Sequence, residues 1–189
     1  MMPEPTLPRP LPYANWYPVA EWLVAGEYPG AKHGFSARVR LDAFLDAGIT
    51  AFIDLTEAGE WQRDGRVQPY DAILSSLADD RGVSVSYQRF PIPDVGVPGC
   101  HEDMRVILDA MDAARLSGHG VYVHCYGGVG RTGTVVGCHL VRSLGLDGGQ
   151  ALAELQRLWR RNQRSARSPR SPETAEQENF VRYWREPVS

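Results

Sequence analysis

The spacing of apolar residues changes from segment to segment along the chain, and each spacing predicts an element. Leu23-Val24-Ala25-Gly26-Glu27-Tyr28 is a short, mostly apolar run closed by Pro29-Gly30, which predicts a strand. Ser36 then precedes Val39, Leu41, Phe44 and Leu45 as an N-cap would, and the predicted helix stops at Gly48. The run from Thr50 to Thr56 is apolar and β-favouring, as a strand buried on both faces must be, and its end faces the loop of Glu57 to Arg66. A helix is predicted over Tyr70 to Arg81, ending at Gly82; alternation from Val83 to Phe90 predicts a strand that Pro91 terminates. Within 101–117, Met104, Ile107, Leu108, Met111 and Ala114 recur at helical spacing. The strand Val121-Tyr122-Val123 follows, then a helix opening near Arg131 and another after Asp147. The last helix is expected to have Ser171 as N-cap, Pro172 and Thr174 in its first turn, and Phe180, Val181 and Trp184 facing the core. Strands alternating with helices imply an α/β fold, a mostly parallel central sheet with helices on both faces. Functional residues of such a sheet gather at the carboxyl ends of its strands.

Composition narrows the class without choosing a function. A chain of 189 residues fills one core, with 1–19 expected as a proline-rich N-terminal arm and 20–189 as a single domain. The segment Met1 to Pro12 has no apolar stretch of the signal-peptide kind, and no run approaches membrane-spanning length. A net charge of −3 gives no bulk attraction to nucleic acid. Three cysteines without a framework spacing point to a reducing compartment, by default the cytoplasm. Cys138, in an apolar stretch, is expected to be buried, and Cys100, after Pro98-Gly99, exposed. His33, His101, His119 and His139 lack a metal-ligand spacing, so no metal or other cofactor is implied. Arg157, Arg160, Arg161, Arg164, Arg167 and Arg170 form a run free of acidic residues, a solvated face or else a surface for phosphorylated or acidic partners, with nucleic acid a distant third because no aromatics are interleaved between Arg160 and Arg170.

The chemistry concentrates in His124-Cys125-Tyr126-Gly127-Gly128-Val129-Gly130-Arg131-Thr132-Gly133. A β-branched strand delivers Cys125 into a glycine-rich turn that opens a helix. The backbone N–H groups of Tyr126, Gly127, Gly128, Val129 and Gly130 can point inward there, and the helix start adds its positive end. Such a ring of amides, with the forked guanidinium of Arg131, suits the oxygens of a phosphate monoester. The same field favours the reactive thiolate of Cys125. Thr132 is placed to donate to the sulfur, and His124 to bond the loop backbone and fix the thiol's direction.

These residues resemble the His-Cys-(five residues)-Arg-Ser/Thr signature of the cysteine-dependent protein tyrosine phosphatases, and the glycine pattern is most similar to the compact dual-specificity-type branch. The resemblance implies a phosphatase-like three-layer sandwich and phosphomonoester hydrolysis through a phosphocysteine, without metal, on a phosphorylated protein. Asp94, in Phe90-Pro91-Ile92-Pro93-Asp94-Val95-Gly96, matches the family's general-acid loop, with Gly96 and Gly99 as hinges. Ser-Pro-x-Thr-x-x-Gln at 171–177 is similar to a segment of related phosphatases whose glutamine, here Gln177, orients the hydrolytic water. Positions 126–130 contain no lysine, unlike the phosphoinositide phosphatases, which favours phosphotyrosine.

Several other readings compete. Gly128-Val129-Gly130-Arg131-Thr132-Gly133 also spells a dinucleotide fingerprint, but no second strand carries the required acidic residue about 20 positions on. A P-loop kinase would need a Lys before a Ser or Thr, which is absent. A rhodanese-like sulfur carrier, a phosphoinositide phosphatase and a non-catalytic phosphotyrosine-binding module remain alternatives. Asp54 and Glu57 could meet site arginines, although a structural ion pair is the simpler expectation.

Overall fold

A computed structural model describes residues 11, 15–30, 36–60, 62 and 69–186 of the chain. Five strands, β1 (Trp16–Ala20), β2 (Leu23–Gly26), β3 (Ile49–Asp54), β4 (Ser86–Arg89) and β5 (Gly120–His124), form one sheet in the order β1-β2-β5-β3-β4. Among the described residues only β1 runs antiparallel to its neighbour; β2, β5, β3 and β4 are mutually parallel. The helices are α1 (Ala37–Asp46), α2 (Asp71–Arg81), α3 (His101–Leu116), α4 (Gly130–Leu144), α5 (Gly148–Trp159) and α6 (Ala175–Tyr183).

Side-chain alternation along each strand builds a core on both faces. On β5, Val121 and Val123 join Ala51, Ile53, Met104, Val135, Leu155 and Val181 on the α3–α6 face. Tyr122, between them, packs with Val24, Phe52, Phe44 and Leu74 on the α1–α2 face. This is the expected mostly parallel α/β sheet covered on both sides. Among the described residues no helix is long and apolar enough to cross a membrane.

Four local expectations are corrected. The sheet begins before the expected boundary at residue 20, because β1 pairs with β2 and buries Tyr17 completely. The rest of the expected arm, residues 1–10 and 12–14, lies outside the described residues. Val39 is 54% exposed rather than core-facing, and Arg40 takes the buried position because Glu27 receives it at 3.0 Å. The expected strand over 83–90 pairs only from Ser86 to Arg89. The cap of α6 is Thr174, whose side chain accepts from Gln177 N at 3.2 Å, and not Ser171, which is engaged elsewhere.

Candidate active site

The carboxyl ends of β2, β3 and β5 converge on the Cys125 turn. Leu55 N donates to His124 O at 2.9 Å, and Tyr28 N donates to Tyr126 O at 3.2 Å, so flanking strands hold both shoulders of the loop. Gly128 has φ +75° with its α-carbon against the backbone of Gly26 and Glu27; a side chain fits neither that conformation nor that space. The loop passes directly into α4, which places Cys125 before a helix N-terminus. Cys125 is buried, and its sulfur accepts from Gly128 N at 3.2 Å.

Arg131 is 2% exposed and held from several sides. Its two terminal nitrogens donate to Glu60 at 2.7 and 2.6 Å, a forked pair. One also donates to Ile92 O at 3.2 Å and the other to Asp94 Oδ1 at 3.0 Å. Burial works against the charge of Arg131, but Glu60 outweighs it and holds the guanidinium ionised well above its already high range. Glu60 is buried too, and the sequence offered nothing to single it out from its neighbours Asp54 and Glu57. Asp54 pairs instead with Arg89, at 3.2 Å.

Asp94 reaches the site because the chain leaving β4 stays bonded to β3. Phe90 N donates to Asp54 O at 2.8 Å and Ile92 N to Leu55 O at 3.1 Å, and the chain then turns at Pro93. The Asp94 side chain is 45% exposed beside Arg131. Next to it Val95 has φ +57°, which for a β-branched residue is a strained backbone.

Gln177 is fully buried and touches two parts of the site. Its Oε1 accepts from Glu173 N and Thr174 N at 3.3 and 3.2 Å, and its Nε2 donates to Gly96 O at 2.9 Å. A Cβ on Gly130 would stand 2.7 Å from Gln177 Oε1. The glutamine thus lies between the phosphate-type loop and the loop of Asp94, with both ends of its amide in use. Ser171 closes the cradle from behind, donating to Val129 O at 2.8 Å. That bond is why it does not cap α6.

His124 is fully buried, with Nδ1 at 3.2 Å from Cys125 O and Nε2 at 2.6 Å from the Tyr70 hydroxyl. Burial holds its imidazole below the ordinary range, against the pull of Asp54 3.9 Å away. Burial opposes ionisation of Asp54, yet the neighbouring His124 and the bonds it accepts from Thr56 and Tyr87 hold its carboxyl below the usual carboxylate range. Thr132 departs from expectation: its hydroxyl is buried and meets no hydrogen-bond partner among the described residues, and the sulfur accepts from Gly128 N. All three cysteines are free; Cys138 is buried and Cys100 exposed.

A family model described as "PTP-SAK: Swiss Army Knife protein, DSP-PTPase phosphatase domain" matches residues 19–181. Protein tyrosine phosphatase domain-containing protein 1 of Mus musculus is 27% identical over 143 residues, 74% of this chain and 18% of that protein. Putative tyrosine phosphatase 067L of Invertebrate iridescent virus 3 is 27% identical over 137 residues, 71% of this chain and 48% of that protein. The chain thus spans about a fifth to a half of the length of these relatives. Among solved structures, Tk-PTP in its active form has a TM-score of 0.69 at 24% identity, covering 92% of this chain and 98% of that one. Kinase associated phosphatase gives 0.71 at 20% identity, covering 92% and 93%. With the family model spanning most of its length, the chain belongs to the dual-specificity-type cysteine phosphatase superfamily.

Proposed function

We propose that the protein is a metal-independent phosphatase acting through a phosphocysteine, on phosphotyrosine proteins and, where the pocket admits shorter side chains, on phosphoserine and phosphothreonine. The observation that carries this reading is the meeting of three parts at Arg131: the Cys125 loop that leads into it, the Glu60 carboxylate that aims it, and Asp94, bonded to it at 3.0 Å.

A phosphate entering the loop takes the Arg131 donor now held by Asp94, and the freed carboxyl turns to the ester oxygen. The Cys125 thiolate forms the S–P bond as the P–O ester bond breaks, and protonated Asp94 gives its proton to the departing oxygen. The amides of residues 126–131 and the guanidinium stabilise the equatorial oxygens. Water then attacks phosphorus, Asp94 takes its proton, and the S–P bond breaks to return the thiolate. The unpartnered Thr132 hydroxyl is available to donate to that departing sulfur. A thiol nucleophile works in its reduced form, which suits a reducing compartment such as the cytoplasm.

The test is hydrolysis of an aryl phosphate and a phosphotyrosine peptide at mildly acidic pH with chelator present, comparing wild type with Cys125→Ser. The expected result is turnover by wild type and none by the variant, which still binds the phosphopeptide. Turnover by Cys125→Ser, or a requirement for metal, overturns the mechanism. No turnover by reduced wild type that nonetheless binds the peptide favours a phosphotyrosine-binding module. The solved neighbours include TpbA of P. aeruginosa in complex with phosphotyrosine and PTPMT1 in complex with PI(5)P, so a phosphoinositide belongs in the same assay.

A further inference from the structure

Arg164 stands directly over the phosphate loop. It belongs to a short 3-10 helix, Gln163–Ala166, fixed by Asn162, whose side chain accepts from Arg164 N at 2.8 Å. A Cβ on Gly127 would lie 3.4 Å from an Arg164 terminal nitrogen, so guanidinium and loop backbone are nearly in contact. The side chain is 34% exposed, and its ionic neighbour Glu27 is 3.9 Å away, too far for a hydrogen bond. Glu27 is already taken by Arg40 at 3.0 Å and Asn15 at 3.1 Å. Arg164 therefore presents an under-used cation at the rim of the cradle.

The same turn borders a second basic feature. Ser165 lines an open cleft of about 660 Å³ between α5 and α6 that also presents Arg160, Arg170 and Arg182. None of these three arginines forms an ion pair among the described residues, and Glu178 is the one carboxylate among the residues lining the cleft. On a chain of net charge −3 this concentration of positive charge is local.

We propose that Arg164 and the adjoining cleft recognise carboxylate side chains flanking the phosphorylated residue, which makes acidic phosphopeptides the substrate class. The inference rests on the phosphatase reading above. Arg164 is near enough to the loop to meet a group close in sequence to the phosphorylated residue. The remaining cations are spread over the cap of α5, the following loop and α6, a surface that suits an extended peptide more than a single phosphorylated ring.

The experiment compares kcat/KM of the full chain for two phosphotyrosine peptides at low salt, one with Asp and Glu flanking the phosphotyrosine and one with Asn and Gln in their place. Wild type is expected to prefer the acidic peptide about three- to tenfold, from one or two partly screened charge pairs. The ratio should fall to about one in Arg164→Gln and shrink in Arg160→Gln/Arg170→Gln. Added salt should erode it. Equal rates on both peptides in active wild type, or a preference that survives in Arg164→Gln, overturn the proposal while leaving the phosphatase reading intact. Arg164-dependent preference for a soluble phosphoinositide headgroup over both peptides overturns it in favour of lipid. If wild type turns over nothing, the phosphatase reading fails, and binding of the two peptides to Cys125→Ser reads the same ratio.

Discussion

The two loops that meet at Arg131 are held in opposite ways. The Cys125 loop is buried, gripped by β2 and β3 on its shoulders, by Ser171 from behind and by the start of α4, with Gly128 pressed against the neighbouring backbone. The Asp94 loop is partly exposed, carries a strained valine, and is tied down by Arg131, Gln177 and its own turn. A receptor for an anion gains from donors that need not reorganise. A proton donor must change partners and then swing toward the leaving group, and it gains from a shallower hold. The contrast teaches that precision and mobility are assigned to separate segments that share one guanidinium.

Asp94→Asn tests the division most severely. Phosphotyrosine peptide kcat/KM is expected to fall by about 10²–10⁴-fold, with much less loss for an aryl phosphate whose leaving group needs no proton. Equal losses on both would mean that Asp94 serves the rigid side by positioning Arg131. The stability of the fold that carries the Cys125 loop depends on pH through His139 of α4, packed edge-on against Trp22 and pushed by burial down to about 4. The folded imidazole stays neutral down to about that pH, whereas the unfolded one protonates near its ordinary 6.5. The unfolded chain thus binds more protons throughout that window, and stability falls as pH falls through it. About 3 kcal/mol should be lost by this route, and urea unfolding of His139→Leu should lack that part of the decline.

Smaller effects sharpen the comparison. Gln177→Ala releases Gly96 and is expected to slow poor leaving groups by about tenfold, the equivalent of one hydrogen bond to a moving loop. A loss independent of leaving group, with a larger pre-steady-state burst, would instead assign Gln177 to orienting the hydrolytic water. Val95→Asn should raise unfolding free energy by about 1 kcal/mol, because asparagine tolerates a positive φ that valine resists. No gain in a denaturant titration would show that the Val95 backbone stores no strain.

Legibility in the sequence followed locality. The alternation of strands and helices, the cap at Ser36 and the Cys125 loop are written in contiguous residues, and they were readable. The loop that carries Asp94 was readable because prolines mark it and a strand precedes it, while the role expected of Asp94 came from the family resemblance. Glu60 was not, since its role depends on a distant arginine folding back to it, and one carboxylate in an acidic loop resembles another. Strand β1 was hidden by its setting beside a proline-rich segment. Arg164 was visible as part of an arginine run, but its place over Gly127 is a product of tertiary packing. Ser171 has the look of a helix cap, and only the three-dimensional position of Val129 shows what it bonds.

That Ser171 contact makes the loop depend on a distant part of the chain. Cys125, its loop and Arg131 are all in the chain by residue 131, yet the loop's rear wall comes some forty residues later, with Ser171, Glu173 and Gln177. A chain ending before Ser171 would therefore lack the contact that closes the Cys125 loop from behind.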